Sequence, residues 1–376
     1  MKKMLMVATV PSMIGQFNMN NIKLLKELEV EVHVACNFKD RSVWTKNRTD
    51  LFIKELDEKQ VFFHQIDFVR NPFDIRNIQA YKQMKRLVDS EEYVFIHCHT
   101  PVAGIISRIV GHKKKIKVIY TVHGFHFFEG APKINWVIFF PIEKFFSRWT
   151  DTLITINKED FNRAKTFYAD KLEYIPGIGI DVKTFDHQGK IAEIRKEFGF
   201  TNDDFVFASV GQLSIRKNHQ VVIKALAEIN NSKIKYLIIG IGEKEKYLRK
   251  LISDLSLENR VYLVGYRMDV EKVLKAVDAF IFPSIQEGLP VSLMEAMAAG
   301  LPIVCSRIRG NVDLIKNGSG GYLCEPMNIE DYRKNMLLVF YGDRKKMGKV
   351  NTENAKRYDI SIINEKMKTI YSRYLV

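Results

Sequence analysis

Apolar residues fall along this chain in short dense runs. In the first half the runs occupy 4–10, 30–36, 61–66, 94–99, 118–123 and 152–156; in the second they occupy 205–210, 236–240, 261–265, 279–283 and 302–305. They are short and rich in β-branched and aromatic types, the texture of strands covered on both faces. Between them lie segments with apolar positions three to four apart and charged outer faces, such as 75–88, 220–229, 243–255 and 269–276. Strand–helix alternation at this spacing predicts βαβ units and parallel sheets. Each half holds enough strands for a doubly wound sheet of its own. The Pro- and Gly-bearing stretch 176–181, with the polar residues that follow through Lys190, predicts the joint. Domains are therefore expected at 1–181 and 182–360, with a closing helix in 361–376 that could pack on either half and is assigned to the first.

Composition narrows the class. The chain has 376 residues, 46% apolar and 27% charged, which suits two globular domains rather than a disordered polymer. Its most apolar stretch, 134–142, is too short to span a bilayer and holds Pro141. The run after Lys2 and Lys3 has the look of a secretory leader, but it meets Pro11 early and no small-x-small site follows. It is read as the first core strand. Cys36, Cys98, Cys305 and Cys324 sit in strand-like contexts without a C-x-x-C spacing, so buried thiols in a reducing, cytoplasmic setting are expected. The net charge of +14 favours acidic partners. It is spread evenly, with 27 Lys and Arg against 21 Asp and Glu through Asp181 and 31 against 23 beyond, so no basic arm marks a nucleic-acid binder.

Open parallel sheets bind ligands beyond the carboxyl ends of their strands, so chemistry is expected in the loops that follow them. The strongest local pattern is there. A strand ends near Pro283, a loop carries Glu287 and Gly288, and a helix of about ten residues is expected from Pro290 to Gly300. Its free amides and dipole, from Pro290 and Val291 on, favour a phosphate, and Gly288 lets one approach the backbone. Glu287 and Glu295, about 10 Å apart at 1.5 Å per helical residue, suit a sugar nucleotide with one acid near each sugar.

The run Glu287-Gly288-Leu289-Pro290 with Glu295-Ala296-Met297-Ala298-Ala299-Gly300-Leu301-Pro302 resembles the signature of glycosyltransferase family 4. Gly211 through His219, Gly265-Tyr266-Arg267 before Asp269-Val270, and Thr121-Val122-His123-Gly124 are similar to further elements of that family, in order and at compatible spacings. The resemblance covers nearly the whole chain. It implies two facing Rossmann-like domains, the B-type glycosyltransferase architecture, and retaining, metal-independent transfer from a nucleotide sugar, without a separate cofactor. It also assigns His123 to the donor sugar and the backbone near Arg267 to the base.

The remaining candidates are read physically beside it. Arg216 and Lys217 follow a strand and precede a helix, where a cation pair would neutralise charge growing on a departing diphosphate. Gly211 opens that loop. Gly240 and Gly242 permit close ligand approach or simply a tight turn. Gly15 is placed in the loop after the first strand as a phosphate contact; family members often have adjacent glycines here, and this chain has one, beside Ile14. His97, His99, His123 and His126 cluster among nine histidines, leaving open a polar substrate cleft, satisfied structural histidines or a metal site. His99, before Thr100-Pro101, is set toward the acceptor. The aromatic, cation-flanked stretch 133–149 and the basic stretch 112–117 fit either a core helix with a solvated loop or docking on an anionic membrane.

The resulting expectation is transfer from a UDP-sugar to a hydroxyl of a lipid-linked glycan, at the inner face of a membrane. The stretch 121–132 is similar to the capsule and exopolysaccharide branch, whose acceptors are usually polyprenyl-diphosphate-linked. Rival readings are a nicotinamide dehydrogenase, a nucleotide-sugar epimerase of the same fold and a basic nucleic-acid-binding protein. The first lacks G-x-G-x-x-G at 11–17. The last is disfavoured by the even charge and the paired glutamates, so no nucleic acid is expected as partner.

Overall fold

A computed structural model describes residues 1–185 and 191–375. The polar part of the expected joint, 186–190, lies outside the described residues. The chain divides into two compact units, one holding Met1–Ile178 and the chain from Ile362 onward, the other Gly179–Ser361.

The first unit carries seven strands: β1 (Lys2–Val7), β2 (Val30–Cys36), β3 (Phe62–Gln65), β4 (Tyr93–Cys98), β5 (Lys117–Val122), β6 (Thr152–Thr155) and β7 (Lys171–Tyr174). They are ordered β3-β2-β1-β4-β5-β6-β7, and every pairing is parallel. The second unit carries β8 (Phe205–Val210), β9 (Ile234–Ile239), β10 (Val261–Leu263), β11 (Ala279–Phe282), β12 (Ile303–Ser306) and β13 (Gly321–Cys324). Their order is β10-β9-β8-β11-β12-β13, again wholly parallel. These are the two doubly wound, Rossmann-like sheets that the buried apolar runs predict. In each the order reverses once, between β1 and β4 and between β8 and β11. At such a switch point the neighbouring loops diverge and leave a crevice.

Two strands escaped the sequence reading. β7 (KLEY) and β13 (GYLC) are only four residues long, and each lies at the end of its sheet. Short, partly polar edge strands have no dense apolar run to betray them. The closing helix, Ile360–Ser372, returns to the first unit. Its Ile363, Met367, Ile370 and Tyr371 are buried in a core with Met4, Val32 and Phe95. All four cysteines are free and buried.

On the opposite face of that sheet, helices Pro101–Lys114 and Lys133–Phe146 pack over β4 and β5. They are joined by a buried ion pair, Arg108 Nη2 to Glu143 Oε2 at 2.9 Å, with the guanidinium 4.4 Å from the centre of the Tyr120 ring. A buried pair adds little net stability, but removing one member strands the other charge. Glu143→Ala is therefore expected to cost about 3–5 kcal/mol in chemical denaturation of the first unit. A loss below about 1 kcal/mol would show that Arg108 finds compensation elsewhere.

Candidate functional site

The second unit builds its site on the two loops that flank its switch point. After β8 comes Gly211–Asn218; after β11 comes Pro283–Pro290. Backbone bonds tie them together, for Ile285 N–H donates to the Arg216 carbonyl at 2.9 Å. Arg216 Nη1 in turn donates to the Gln286 carbonyl at 2.9 Å and to Glu287 Oε1 at 2.8 Å. Lys217 Nζ reaches the same oxygen at 2.8 Å and lies 4.5 Å from the Phe282 ring centre. The side chains of Glu287 and Lys217 keep only 10% and 11% of their exposure, whereas Arg216 keeps 45%. Burial opposes ionisation of Glu287, but the adjacent Lys217 and Arg216 outweigh it and hold the carboxyl below its ordinary range. Burial, helped by Arg216, pulls the Lys217 ammonium below its ordinary value despite Glu287. Two cations thus share one carboxylate, leaving the cluster positive and one guanidinium half free.

Glycines make this approach possible. A Cβ on Gly211 would sit 3.0 Å from Lys217 Cε, so the missing side chain is the room that the lysine occupies. Gly240 has φ +152°, and a Cβ there would lie 1.9 Å from the Gly211 carbonyl oxygen. On Gly242 a Cβ would lie 2.4 Å from the Leu213 oxygen. The close approach at Gly240 and Gly242 is therefore to the 211–213 backbone.

Helix Val291–Ala298 begins behind this cluster. Pro290 is its cap, at φ −78° and ψ 122°, and not its first helical residue as expected; the extended ψ puts it just outside the helix. No side chain caps the first turn, whose amides have no intrahelical acceptor. Gly300, at φ +75°, ends the helix, with Leu301 N–H donating to the Ala296 carbonyl. Gly288 is half-buried, and Leu289 and Pro290 are buried. Arg309 and Gly310 were not foreseen. Arg309 Nε donates to the Glu287 carbonyl at 3.1 Å, and Gly310 packs so close that a Cβ would lie 2.3 Å from the Gly288 oxygen. Only the Arg-Gly pair after a strand could have pointed to them. The Glu295 side chain, half-buried on the helix, has no hydrogen-bond or ion-pair partner among the described residues. Burial, reinforced by Glu271, raises its pKa. Arg267 is occupied: its guanidinium bonds Asp269 through Nε and Nη2, each at 2.8 Å, and also pairs with Glu197.

In the first unit, three of the four clustered histidines converge. His97 is fully buried and satisfied, Nδ1 with the Tyr371 hydroxyl at 2.9 Å and Nε2 with the Thr121 hydroxyl at 2.8 Å. His99 Nδ1 and His123 Nε2 are 3.3 Å apart, and the buried His99 Nε2 has no partner. His99 and His123 line a small cavity with Thr121, Asn18, Asn20 and Asn21. Those asparagines were missed, although their close spacing after the first strand was visible. His126 departs from the expected cluster: Gly124 turns the chain at φ +136°, and the His126 ring lies 4.8 Å from that of Phe139. Gly15 is a correction too. Pro11 starts helix Pro11–Phe17 only three residues after the strand, so Gly15 lies inside a helix and not in a loop. A Cβ there would meet Trp44 at 2.4 Å. Among the described residues no three His, Cys, Asp or Glu side chains are grouped to hold a metal ion.

Comparison with known proteins follows this geometry. Residues 15–183 match the model of Glycosyltransferase Family 4, and residues 190–357 match Glycosyl transferases group 1. EpsD of Bacillus subtilis strain 168, a glycosyltransferase by name, is 31% identical over 100% of this chain and 97% of its own. An Escherichia coli UDP-Gal:alpha-D-GlcNAc-diphosphoundecaprenol alpha-1,3-galactosyltransferase is 33% identical over 70% of this chain and 72% of its own. HepE of Anabaena, solved with UDP-glucose, superposes with a TM-score of 0.79 at 19% identity, over 99% of this chain and 100% of its own.

Burial lowers the pKa of His97 to about 3 and of His123 to about 4, from an ordinary 6.5. In that window the unfolded chain binds protons that the folded chain refuses, so stability should fall as pH drops from 6.5 toward 4. Thermal unfolding across this range should show the decline, and His97→Asn should reduce its slope by that histidine's share. An equal slope in the variant would mean that His97 does not carry the effect.

Proposed function

Because the chain belongs to glycosyltransferase family 4, we propose that it moves a hexose or N-acetylhexosamine from a UDP-sugar to a hydroxyl of a polyprenyl-diphosphate-linked glycan. The setting is bacterial surface polysaccharide synthesis. The observation that carries this reading is the Arg216–Glu287–Lys217 cluster at the switch point of the second sheet, beside the uncapped helix Val291–Ala298. The full-length match to EpsD supports the polysaccharide setting, and the name of the Escherichia coli relative supports the lipid diphosphate. UDP-glucose held by a protein of the same fold supports the nucleotide.

Each group has a role in this account. The diphosphate meets Arg216, Lys217 and the first-turn amides, so positive charge stands where the leaving group becomes anionic. Glu287 orients donor-sugar hydroxyls, and the unpaired Glu295 accepts from the ribose hydroxyls. In the first unit His123 and His99 act as neutral hydrogen-bonding groups toward sugar hydroxyls, since burial keeps both unprotonated at neutral pH. As the bond from the anomeric carbon to the diphosphate breaks, the acceptor oxygen bonds to that carbon from the same face. Its proton passes to the departing phosphate oxygen. This retains the anomeric configuration and needs neither an enzyme nucleophile nor a metal.

A panel of UDP-sugars, assayed for hydrolysis and for transfer to a lipid-diphosphate sugar, tests the reading directly. Glu287→Gln should lower turnover about 100-fold or more with the melting temperature retained. Near-normal turnover would remove Glu287 from the chemistry, and an epimerised nucleotide sugar as the only product would replace transfer altogether. Lys217→Ala should weaken UDP-sugar binding far more than uridine binding; an equal loss for both would show that Lys217 does not act on the phosphates.

A further inference from the structure

Helix Lys133–Phe146 has two unlike faces. Trp136, Phe139 and Phe140 pack against the core of the first unit, and Glu143 turns inward to Arg108. Outward, Ile134 is 59% exposed, Val137 71% and Phe145 45%, and Pro141 is exposed between them. Steps of three and four residues place these four on one stripe about 16 Å long. Nothing in the described structure covers it. Glu143 is the only acid in 133–149, and it is buried, so this segment itself brings no negative charge to the outward face.

Cations gather at the far end of the stripe. The Arg148 guanidinium lies 4.6 Å from the Phe145 ring centre, and Lys144 lies 5.3 Å from the ring of Tyr168, itself exposed. His112 stacks on Trp149 at 4.6 Å, bringing the end of helix Pro101–Lys114 alongside. Within that basic stretch Lys114 pairs with Asp89 and Lys117 with Asp151, which ties down half of the charge that the sequence displays. Lys113 contacts the Tyr81 hydroxyl, and Lys115, at the helix end, has no acidic partner among the described residues. Lys133 stands exposed at the near end. Neither Lys144 nor Arg148 has an acidic partner among the described residues.

We infer that this face lies on an anionic lipid bilayer, with Ile134, Val137, Pro141 and Phe145 in the interface and Lys115, Lys144 and Arg148 against lipid phosphates. An apolar helix stripe that holds no acid of its own and ends in cations is the pattern of a helix lying in the membrane plane. No helix among the described residues is long and apolar enough to cross a membrane, so attachment here is to the surface. A second copy of the chain is the poorer occupant, because this segment offers Lys144 and Arg148 of a partner no acid to meet: its single acid, Glu143, is buried. The inference stands apart from the sugar-transfer reading.

Flotation of the full chain with phosphatidylglycerol–phosphatidylcholine vesicles tests it, with pure phosphatidylcholine as the control and UDP-induced thermal stabilisation as a separate readout. The protein should float with the anionic vesicles only, and added salt should release it. Val137→Glu with Phe145→Glu, or Lys115→Glu with Arg148→Glu, should lower the bound fraction about tenfold while leaving stabilisation by UDP unchanged. Failure of the unaltered protein to float, salt-insensitive binding, or full binding by both variants would overturn the proposal. So would a dimer in solution that the Val137→Glu, Phe145→Glu variant converts to monomer, since the face would then belong to a second copy.

Discussion

A carboxylate with a tenth of its surface left to solvent must be compensated, and the second unit is arranged around doing so for Glu287. Lys217 and Arg216 both reach one of its oxygens at 2.8 Å, from a loop seventy and more residues earlier in the chain. The attraction is strong because the site is largely dry, and it costs about what desolvating the charges costs, so its value is positional rather than stabilising. It joins the loops after β8 and β11 at the one place in the sheet where neighbouring loops part. It also leaves excess positive charge beside an uncapped helix start, a combination suited to a diphosphate.

The glycines serve this same constraint. Gly211 leaves the space that Lys217 fills, Gly240 and Gly242 let the loop after β9 press on that loop, and Gly310 supports Gly288 from behind. The first unit uses a different device. Its histidines are buried enough to stay neutral, and the closing helix fastens one of them, since Tyr371 bonds His97, which bonds Thr121. His99, one residue past β4, is thereby set beside His123 with a nitrogen unsatisfied. The sheet core, the closing helix and the histidine cavity are thus one mechanical piece.

The fold was legible because strands buried on both faces leave dense apolar runs. β2 and β8 occupy the residues that the pattern marks, and most others differ by one or two positions. β7 and β13 were illegible because four-residue edge strands leave no such run. Among site residues, the types at 216, 217 and 287 were readable from loops between strands and helices, and Glu295 from the helix that follows. Their mutual clamp was not, since nothing local links Lys217 to Glu287. Gly15 was misplaced because the loop after β1 is only three residues long and Pro11 starts a helix where more loop was expected. His126 was misplaced because a glycine two residues before it redirects the chain. Segment 133–149 is core on one helix face and open on the other, a division that its all-round apolar sequence does not reveal.

The central claim is that a pyrophosphate rests at the amide end of helix Val291–Ala298, held by the cations around Glu287. A crystal structure of the full chain with an intact UDP-sugar tests it most directly. The account predicts diphosphate oxygens within hydrogen-bond reach of Arg216, Lys217 and the backbone at 288–291, with the ribose at Glu295. A diphosphate bound elsewhere, with the Lys217–Glu287 contact untouched and the helix start facing only water, would contradict it.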